Sequence, residues 1–364
     1  VFECFGVPGG PGRPAAVDIR IGVPMPPLLK LILIRLGLGL LTLFLVTIVV
    51  FIATQGLPGD AARAILGKEA TNVARYEALR EELGLDRPML TQYTSWLAGV
   101  ATGDFGTSLV GGGEKVTTLL GSRVANSAML VFLAALVSIP ISIVLGATSA
   151  IWRDSRFDNV VNLGNLSLAA LPEFVIGIVL VLIFATAVFK WLPSVSNINA
   201  LVPLTQQMWL FVLPVATLVL AVIPYVSRML RASTVEVLES EYVMMARLKG
   251  ISESRVLWHH ALPNAIVPTI QVIAINIAWL AGGIVTVEYL FGFPGIGSAL
   301  VDAVANRDMP VVQALVLLVA AVYVSHMVGV DERRSAHLVE LDPAERDPRA
   351  LVHAIVAPLV EEVT

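Results

Sequence analysis

Charge and cysteine are both scarce in this sequence. Of its 364 residues only 14% are Asp, Glu, Lys or Arg, whereas soluble domains carry about 25%. Cys4 is the single cysteine, which excludes an intrachain disulfide. The formal net charge of −4 provides no basic field for nucleic acid. So little charge cannot cover a water-facing surface, and this excludes a set of soluble globular domains.

Motifs for catalysis and cofactor binding are also missing. The string Gly111–Lys115 lacks the Gly-Lys pair of a phosphate-binding loop, so we do not expect the chain to hydrolyse nucleotide. No H-E-x-x-H, G-x-G-D or G-x-S-x-G occurs, which disfavours an intramembrane hydrolase. His259 and His260 point to different helix faces, so we expect no metal site there. A secondary transporter remains a less favoured alternative, because no internal repeat is evident.

Apolar segments are what the sequence has in abundance. Crossing a bilayer as a helix takes about 20 apolar residues. Six segments approach or exceed that length: Leu36–Ala53, Ala128–Ser149, Leu163–Phe189, Met208–Ser227, Ile266–Thr286 and Val311–Val330. The sequence therefore predicts an all-α polytopic membrane protein with six transmembrane helices.

Basic residues in the short loops predict the orientation. If the N-terminus is cytoplasmic, the inner loops 151–160 and 228–264 carry seven Lys or Arg residues, and the outer loops 190–207 and 287–310 carry two. Positive charge marks the cytoplasmic side, so both termini are predicted to be cytoplasmic.

Composition divides the chain into five segments. Residues 1–27, rich in Pro and Gly, are predicted to be a disordered tail. Residues 28–56 hold the first transmembrane helix, and 57–124 form an extracytoplasmic loop with short helices. The core at 125–330 holds five transmembrane helices and the loop 228–264. The remainder, 331–364, reads as a polar cytoplasmic tail.

The loop between the fourth and fifth spans carries helix signals. A helix over Tyr242–Lys249 is predicted to stop at Gly250, the residue best able to adopt a left-handed cap. Ser252 is predicted to cap a second helix that runs to Pro263. The pattern predicts a helix–turn–helix elbow at the cytoplasmic surface. From these signals alone, an ordinary interhelical loop with a glycine stop is the favoured interpretation.

A family pattern coincides with this loop. Four residues have the spacing of the E-A-A-x3-G-x9-I-x-L-P loop of ABC importer permeases: Ala246, Gly250, Leu262 and Pro263. Three positions depart from it: Met244, Met245 and His260. The peptide-permease branch resembles Tyr-Val-x-x-Ala-Arg-x-Lys-Gly, which matches Tyr242, Val243, Ala246, Arg247, Lys249 and Gly250.

Two further blocks extend the resemblance to about residues 30–330. One follows the fifth span and contains the signature residues Glu288, Gly292, Pro294, Gly295, Gly297, Arg307, Asp308 and Pro310. The other comprises Leu57–Asp60, Leu83–Pro88, Gln92-Tyr93 and Gly103–Gly106. The chain resembles the B-type membrane subunit of a dipeptide/oligopeptide ABC importer, in the peptide/nickel branch of the binding-protein-dependent transport family.

This resemblance implies a type I ABC importer permease fold in the cytoplasmic membrane of a prokaryote. It implies a non-catalytic subunit without a cofactor, because ATP is bound by two partner ATP-binding subunits. A second homologous permease subunit and an extracytoplasmic peptide-binding protein are further implied partners. Coupling to the ATP-binding subunits is expected at Tyr242, Ala246, Arg247, Lys249, Gly250, Leu262 and Pro263. The substrate implied is a short peptide, with nickel chelates or another small solute as alternatives.

Polar residues within the spans are candidates for the translocation pathway. Glu173 could face an aqueous path, or lie near the inner end of a tilted helix. Gln271 and Asn276 could line the path or bond neighbouring helices, and the second interpretation is favoured. The glycine-rich run at 291–297 has too many helix breakers for a spanning helix, and it predicts a tight outer turn or a buried re-entrant piece.

Overall fold

The protein was analysed as a computed structural model. The structure describes residues 27–55, 62, 66, 71–82, 86–110, 113–198, 202 and 206–339. Residues 1–26 of the predicted disordered tail and 340–364 of the predicted polar tail lie outside the described residues, as do 57–60 and 83–85 of the third sequence block.

The regular secondary structure of the described residues is helical, apart from one isolated antiparallel bridge between Thr107 and Lys115. The first half contains α1 Pro27–Gln55, α2 Val73–Glu82, α3 Met89–Thr102, α4 Val116–Ile151, α5 Arg156–Ala169 and α6 Glu173–Val181, which a π turn extends over Leu182–Thr186. The second half contains a 3-10 turn at Met208–Phe211 followed by α7 Val212–Leu238, α8 Glu241–Leu248, α9 Glu253–Arg255, a π segment at Val256–Ala261, α10 Leu262–Phe291, α11 Ile296–Ala305 and α12 Met309–Val339. The all-α prediction is confirmed.

Among the described residues, four helical stretches are long and apolar enough to cross a membrane: Leu33–Gln55, Val116–Ile151, Met208–Leu238 and Val256–Leu280. Two bent pairs bring the number to at most six: Arg156–Ala169 with Glu173–Thr186, and Ile284–Phe291 with Ile296–Ala305. The predicted last span lies in α12, whose described apolar part is Met309–Ser325.

The predicted third span, Leu163–Phe189, is not one straight helix. The chain bends by 104° between α5 and α6. Pro172 stands at the N-cap of α6, and a proline disfavours helical backbone in the residue before it and cannot donate a hydrogen bond. The single apolar run therefore folds as two helices that meet at a sharp angle.

Helix α7 is the centre of the bundle. It packs against α4 and α10, and 72% of the residues in its most apolar 18-residue stretch are buried. The main cluster combines Leu130 of α4 with Leu218 and Val226 of α7 and Leu280 and Ile284 of α10. At Gly146 of α4 an added Cβ would lie 2.6 Å from the Ser227 carbonyl oxygen, so the backbones of α4 and α7 approach closely there. Small residues at such contacts are typical of membrane helices, which associate by close packing.

Helix α1 packs beside α12 at the edge of this bundle. Gln313 of α12 donates from Nε2 to Thr54 Oγ1 of α1 at 2.8 Å. Phe51 of α1 packs edge-on against Tyr93 of α3, and their ring centroids are 5.3 Å apart. The short helix α3 is thereby attached to the first span.

Candidate functional site

The loop between α7 and α10 folds as an elbow. Helix α8 ends at Leu248, and Gly250 has φ = +78°, the left-handed conformation predicted for it. The Gly250 N–H donates to the Arg247 carbonyl oxygen at 2.9 Å, and Ile251 N–H donates to the Ala246 carbonyl oxygen at 3.2 Å. Ser252 occupies the N-cap position of α9 with extended backbone, but its side chain makes no capping hydrogen bond. The predicted helix–turn–helix geometry is confirmed.

The second arm of the elbow departs from the prediction, because it does not end at Pro263. It passes from α9 through the π segment directly into α10. Pro263 has no N–H, and a proline ring in a regular helix collides with the carbonyl four residues earlier, which here belongs to His259. The wider π turn that precedes Pro263 keeps the chain helical at this point. The elbow is therefore continuous with the fifth predicted span.

Two of the predicted coupling residues face the interior of the protein. Ala246 is buried with Val243 and Val256 in a small apolar cluster inside the elbow. Leu262 is buried against Leu230 and other residues of the bundle. Their side chains hold the elbow together and do not present a surface to a partner.

Two further predicted residues tie the arms of the elbow to each other. The Arg247 guanidinium donates to both carboxylate oxygens of Glu253, at 2.9 and 3.1 Å, and to the Leu238 carbonyl oxygen at 3.3 Å. The Tyr242 hydroxyl accepts from Asn264 Nδ2 at 3.0 Å and donates to the His260 carbonyl oxygen at 3.4 Å. These bonds fix the angle between α8 and the second arm.

The outward face of the elbow carries large apolar side chains. We define the elbow surface as the residues Tyr242, Met244, Met245, Leu248 and Trp258, which are 46–75% exposed. Lys249 and Gly250 are exposed at the tip, and Pro263 is exposed where α10 begins. Exposed apolar groups with charged residues around them are typical of a site for a protein partner.

The sequence interpretation missed four of these five residues. Met244 and Met245 were read only as departures from the family pattern, and Leu248 and Trp258 were not singled out. One signal was available, because Met244 and Leu248 are four residues apart and share a helix face in a charged loop.

The signature residues after the fifth span form a buried polar cluster around Glu288. The Glu288 side chain is 0% exposed, and its carboxylate accepts from Ser127 Oγ at 2.5 Å and from Gly297 N–H at 2.6 Å. Ser127 Oγ in turn accepts from Ile296 N–H at 2.8 Å. Asn126 Nδ2 donates to the Pro294 carbonyl oxygen at 2.8 Å. Helices α4, α10 and α11 are thus joined through one carboxylate.

The glycines of this cluster are required by space. A Cβ at Gly295 would collide with the Glu288 carboxylate, and a Cβ at Gly297 would collide with the backbone of Val285. Gly292 has φ = +59° and ends α10 with a left-handed cap. The chain bends by 77° from the end of α10 into α11. The sharp bend at 291–297 agrees with both predicted alternatives, a tight outer turn and a buried re-entrant piece, and the choice between them stays a prediction.

Asp308 joins two parts of the chain that are 200 residues apart. Its carboxylate accepts a short hydrogen bond from Ser108 Oγ and a second from Leu109 N–H at 3.2 Å. Arg307, just before it, has a left-handed φ of +58°, and Pro310 follows in the first turn of α12. The loop that carries Thr107 is thereby fixed to the start of α12.

The three predicted pathway residues occupy different environments. Glu173 is half-buried at the first position of α6, and Gln271 is exposed on α10. Asn276 donates to the Val272 carbonyl oxygen of its own helix at 2.8 Å. This bond uses one amide hydrogen of Asn276, and the favoured interpretation, a bond to a neighbouring helix, stays a prediction.

Asn276 also lines an open cavity of about 910 Å³ between α5, α7 and α10. Within the described residues, no group of three or more His, Cys, Asp or Glu side chains has an arrangement that could hold a metal ion. The pathway roles of Glu173, Gln271 and Asn276 stay predictions, as do the coupling roles of the elbow residues.

Comparisons with known proteins cover most of the chain. Residues 138–331 match the family model described as "Binding-protein-dependent transport system inner membrane component", and residues 28–145 match the model of its N-terminal region. The sequence is 37% identical over 283 residues to a glutathione transport system permease protein of Pectobacterium atrosepticum, which covers 77% of this chain and 89% of that protein.

Two further relatives show similar coverage. A probable peptide ABC transporter permease protein of Sinorhizobium fredii is 35% identical over 294 residues, or 80% of this chain and 93% of the relative. The glutathione transport system permease protein of Escherichia coli K12 is 34% identical over 296 residues, with 81% and 93% coverage.

Proposed function

This chain belongs to the family of inner membrane components of binding-protein-dependent transport systems, and we propose that it is the permease subunit through which an ATP-powered importer moves short peptides. It is a multi-pass helical protein of the cytoplasmic membrane and a non-catalytic component of its transporter. The proposal rests chiefly on the relatives, whose names specify glutathione or peptides. Glutathione is itself a short peptide, so both names agree in substrate class.

The elbow supports a specific route for energy transfer. ATP is bound by separate subunits, and we expect one of them to cover the elbow surface. Movement of that subunit would push on α8, which Arg247 and Tyr242 tie to the second arm. Because that arm runs without interruption into α10, the push reaches a membrane helix directly.

Two further partners are proposed, a second permease subunit and a peptide-binding protein. The cavity at Asn276 is open to its surroundings, so the described part of this chain does not enclose a passage by itself. A second, homologous permease subunit would close it. An extracytoplasmic peptide-binding protein would deliver the substrate at the end opposite the elbow.

Co-purification and uptake together test this function. The chain is expressed with candidate ATP-binding, permease and peptide-binding subunits from the same genome, and purified in mild detergent through a tag on this chain. We expect the ATP-binding subunits to co-purify and proteoliposomes to take up labelled tripeptide only with ATP and the binding protein. Uptake that needs no ATP would contradict the proposal.

A further inference from the structure

The open cavity between α5, α7 and α10 has a polar lining that the coupling mechanism does not use. Tyr225 and Arg228 line it from one face of α7, Asn162 from α5, and Asn276 from α10. Its volume of about 910 Å³ falls within the range of small-molecule sites, about 300–1,000 Å³. Three helices thus direct hydrogen-bonding side chains into one space large enough for a small peptide.

The charge of this cavity is unbalanced. Arg231 also lines it, but its guanidinium is paired with Asp158, with N–O distances of 2.7 and 2.6 Å. Asp158 is 1% exposed and also accepts from Asn162 Nδ2 and from the Asp154 N–H. Its oxygens are therefore fully occupied, and Asp158 is not free to neutralise a second cation.

Arg228 is the unbalanced group. Among the residues that the structure describes it has no ion-pair or hydrogen-bond partner, and none of the described residues that line the cavity is Asp or Glu. A guanidinium presents five donors in a planar fork that matches the two oxygens of a carboxylate. Such charge-assisted bonds are about twice as strong as neutral ones.

We propose that this cavity is a binding station for the carboxylate of the transported peptide, held by Arg228. The inference rests on the proposed function and names the part of the substrate that the permease itself recognises. Asn162, Asn276 and Tyr225 provide the polar contacts that a peptide backbone requires.

A phospholipid headgroup has the same anionic chemistry but fits the lining less well. Two amide side chains from different helices converge on the cavity, and amides pair readily with the donors and acceptors of a peptide backbone. The amide nitrogens of Asn162 and Asn276 already donate to Asp158 and to the Val272 carbonyl oxygen, which leaves their Oδ1 atoms to accept from a peptide N–H. The phosphate group of a lipid has no hydrogen-bond donor and would leave these two acceptors unused. The peptide carboxylate is therefore the occupant that accounts for all the polar lining residues.

Uptake of a matched peptide pair tests the station in the assembled transporter. The pair is trialanine and trialanine C-terminal amide, which differ only in the carboxylate. We expect Arg228→Gln to lower trialanine uptake about tenfold and to leave amide uptake unchanged, with partial rescue by Arg228→Lys. Arg156→Gln removes an exposed arginine outside the cavity and should leave both rates unchanged. Equal effects of Arg228→Gln on both peptides would overturn the proposal.

Thiol labelling measures occupancy without transport. In a Cys4→Ser background, Ala232→Cys places a thiol on the cavity face of α7. We expect trialanine, but not its amide, to slow labelling of the complex, and Arg228→Gln to abolish the protection. No protection, or equal protection by both peptides, would overturn the inference.

The same labelling experiment in nanodiscs of phosphatidylcholine, with and without phosphatidylglycerol, tests whether an anionic lipid occupies the cavity. Protection that follows phosphatidylglycerol and ignores peptide would identify a lipid site and also overturn the inference. If the parent complex transports neither peptide, the proposed function fails, and the labelling result alone decides whether the cavity binds a carboxylate.

Discussion

At the scale of single residues, the elbow separates side chains that hold it together from side chains that face outward. Ala246 is buried against Val243 and Val256, whereas Leu248, two positions later, is 75% exposed. Both lie in the same eight-residue helix. A substitution at Ala246 is therefore expected to affect folding of the elbow, and a substitution at Leu248 is expected to affect binding of the partner subunit.

Leu248→Asp should therefore separate binding from folding. We expect the variant to reach the membrane at normal levels but to lose ATP-binding subunits about tenfold or more during co-purification, because a carboxylate in a packed contact is poorly tolerated. Val73→Asp makes a similar change at an exposed position of α2 and should have no effect. Ala246→Asp should lower the amount of protein itself, because its charge is buried inside the elbow. If the ATP-binding subunits co-purify normally with Leu248→Asp, the elbow surface is not their contact.

Gly297 allows a second test at this scale, in the cluster around Glu288. An added Cβ would collide with the Val285 backbone, which cannot move aside easily. We expect Gly297→Ala to destabilise the purified protein by about 1–3 kcal/mol, seen as a lower thermal midpoint. Gly121→Ala, in α4 with nothing within 4 Å, is the matched control and should not lower it. Equal midpoints for the two variants would show that α11 is not packed this tightly.

At the scale of elements, the sequence predicted helices more reliably than the directions between them. Long apolar runs and the glycine at position 250 indicated where helices form and where α8 stops. Pro172 marked a break, but its 104° angle depends on packing of α5 and α6 against α7, which no local pattern encodes. The bond between Ser108 and Asp308 likewise joins positions 200 residues apart.

The turn at Gly250 gives a prediction for one element. Its φ of +78° strains most side chains, but nothing lies within 4 Å of an added Cβ in this chain. Asn tolerates left-handed backbone better than β-branched residues do. We expect Gly250→Asn to keep most peptide uptake and Gly250→Val to lose it, both at normal membrane levels. Equal loss in both variants would instead show that a partner packs directly on the glycine.

At the scale of the whole molecule, the sequence indicated the fold class and the family but not the surfaces. The repeated apolar segments indicated the fold class, and the three motif blocks in their order indicated the family. The elbow surface and the lining of the cavity depend on how α8 and α10 rotate about their axes. That rotation depends on contacts such as Val243 with Val256. The motif includes Val243 but does not indicate which residue it packs against.

Orientation is a prediction for the whole molecule. Seven basic residues against two place 228–264 inside and 57–124 outside. In a Cys4→Ser background, Ser252→Cys and Glu77→Cys each expose a thiol on one of these segments. We expect an impermeant reagent added to intact cells to label position 77 and not position 252. The reverse pattern would invert the topology.

The unbroken helical run from Glu253 to Phe291 makes the elbow one end of a lever arm. At about 1.5 Å per residue the 30-residue helix α10 alone is about 45 Å long, so a tilt of about 5° around one end displaces the other by about 4 Å. The far end carries Glu288, which grips α4 and α11 through Ser127 and Gly297. A small tilt at the elbow thereby becomes a displacement of several ångströms at the far end of α10, without any step that unfolds the helix.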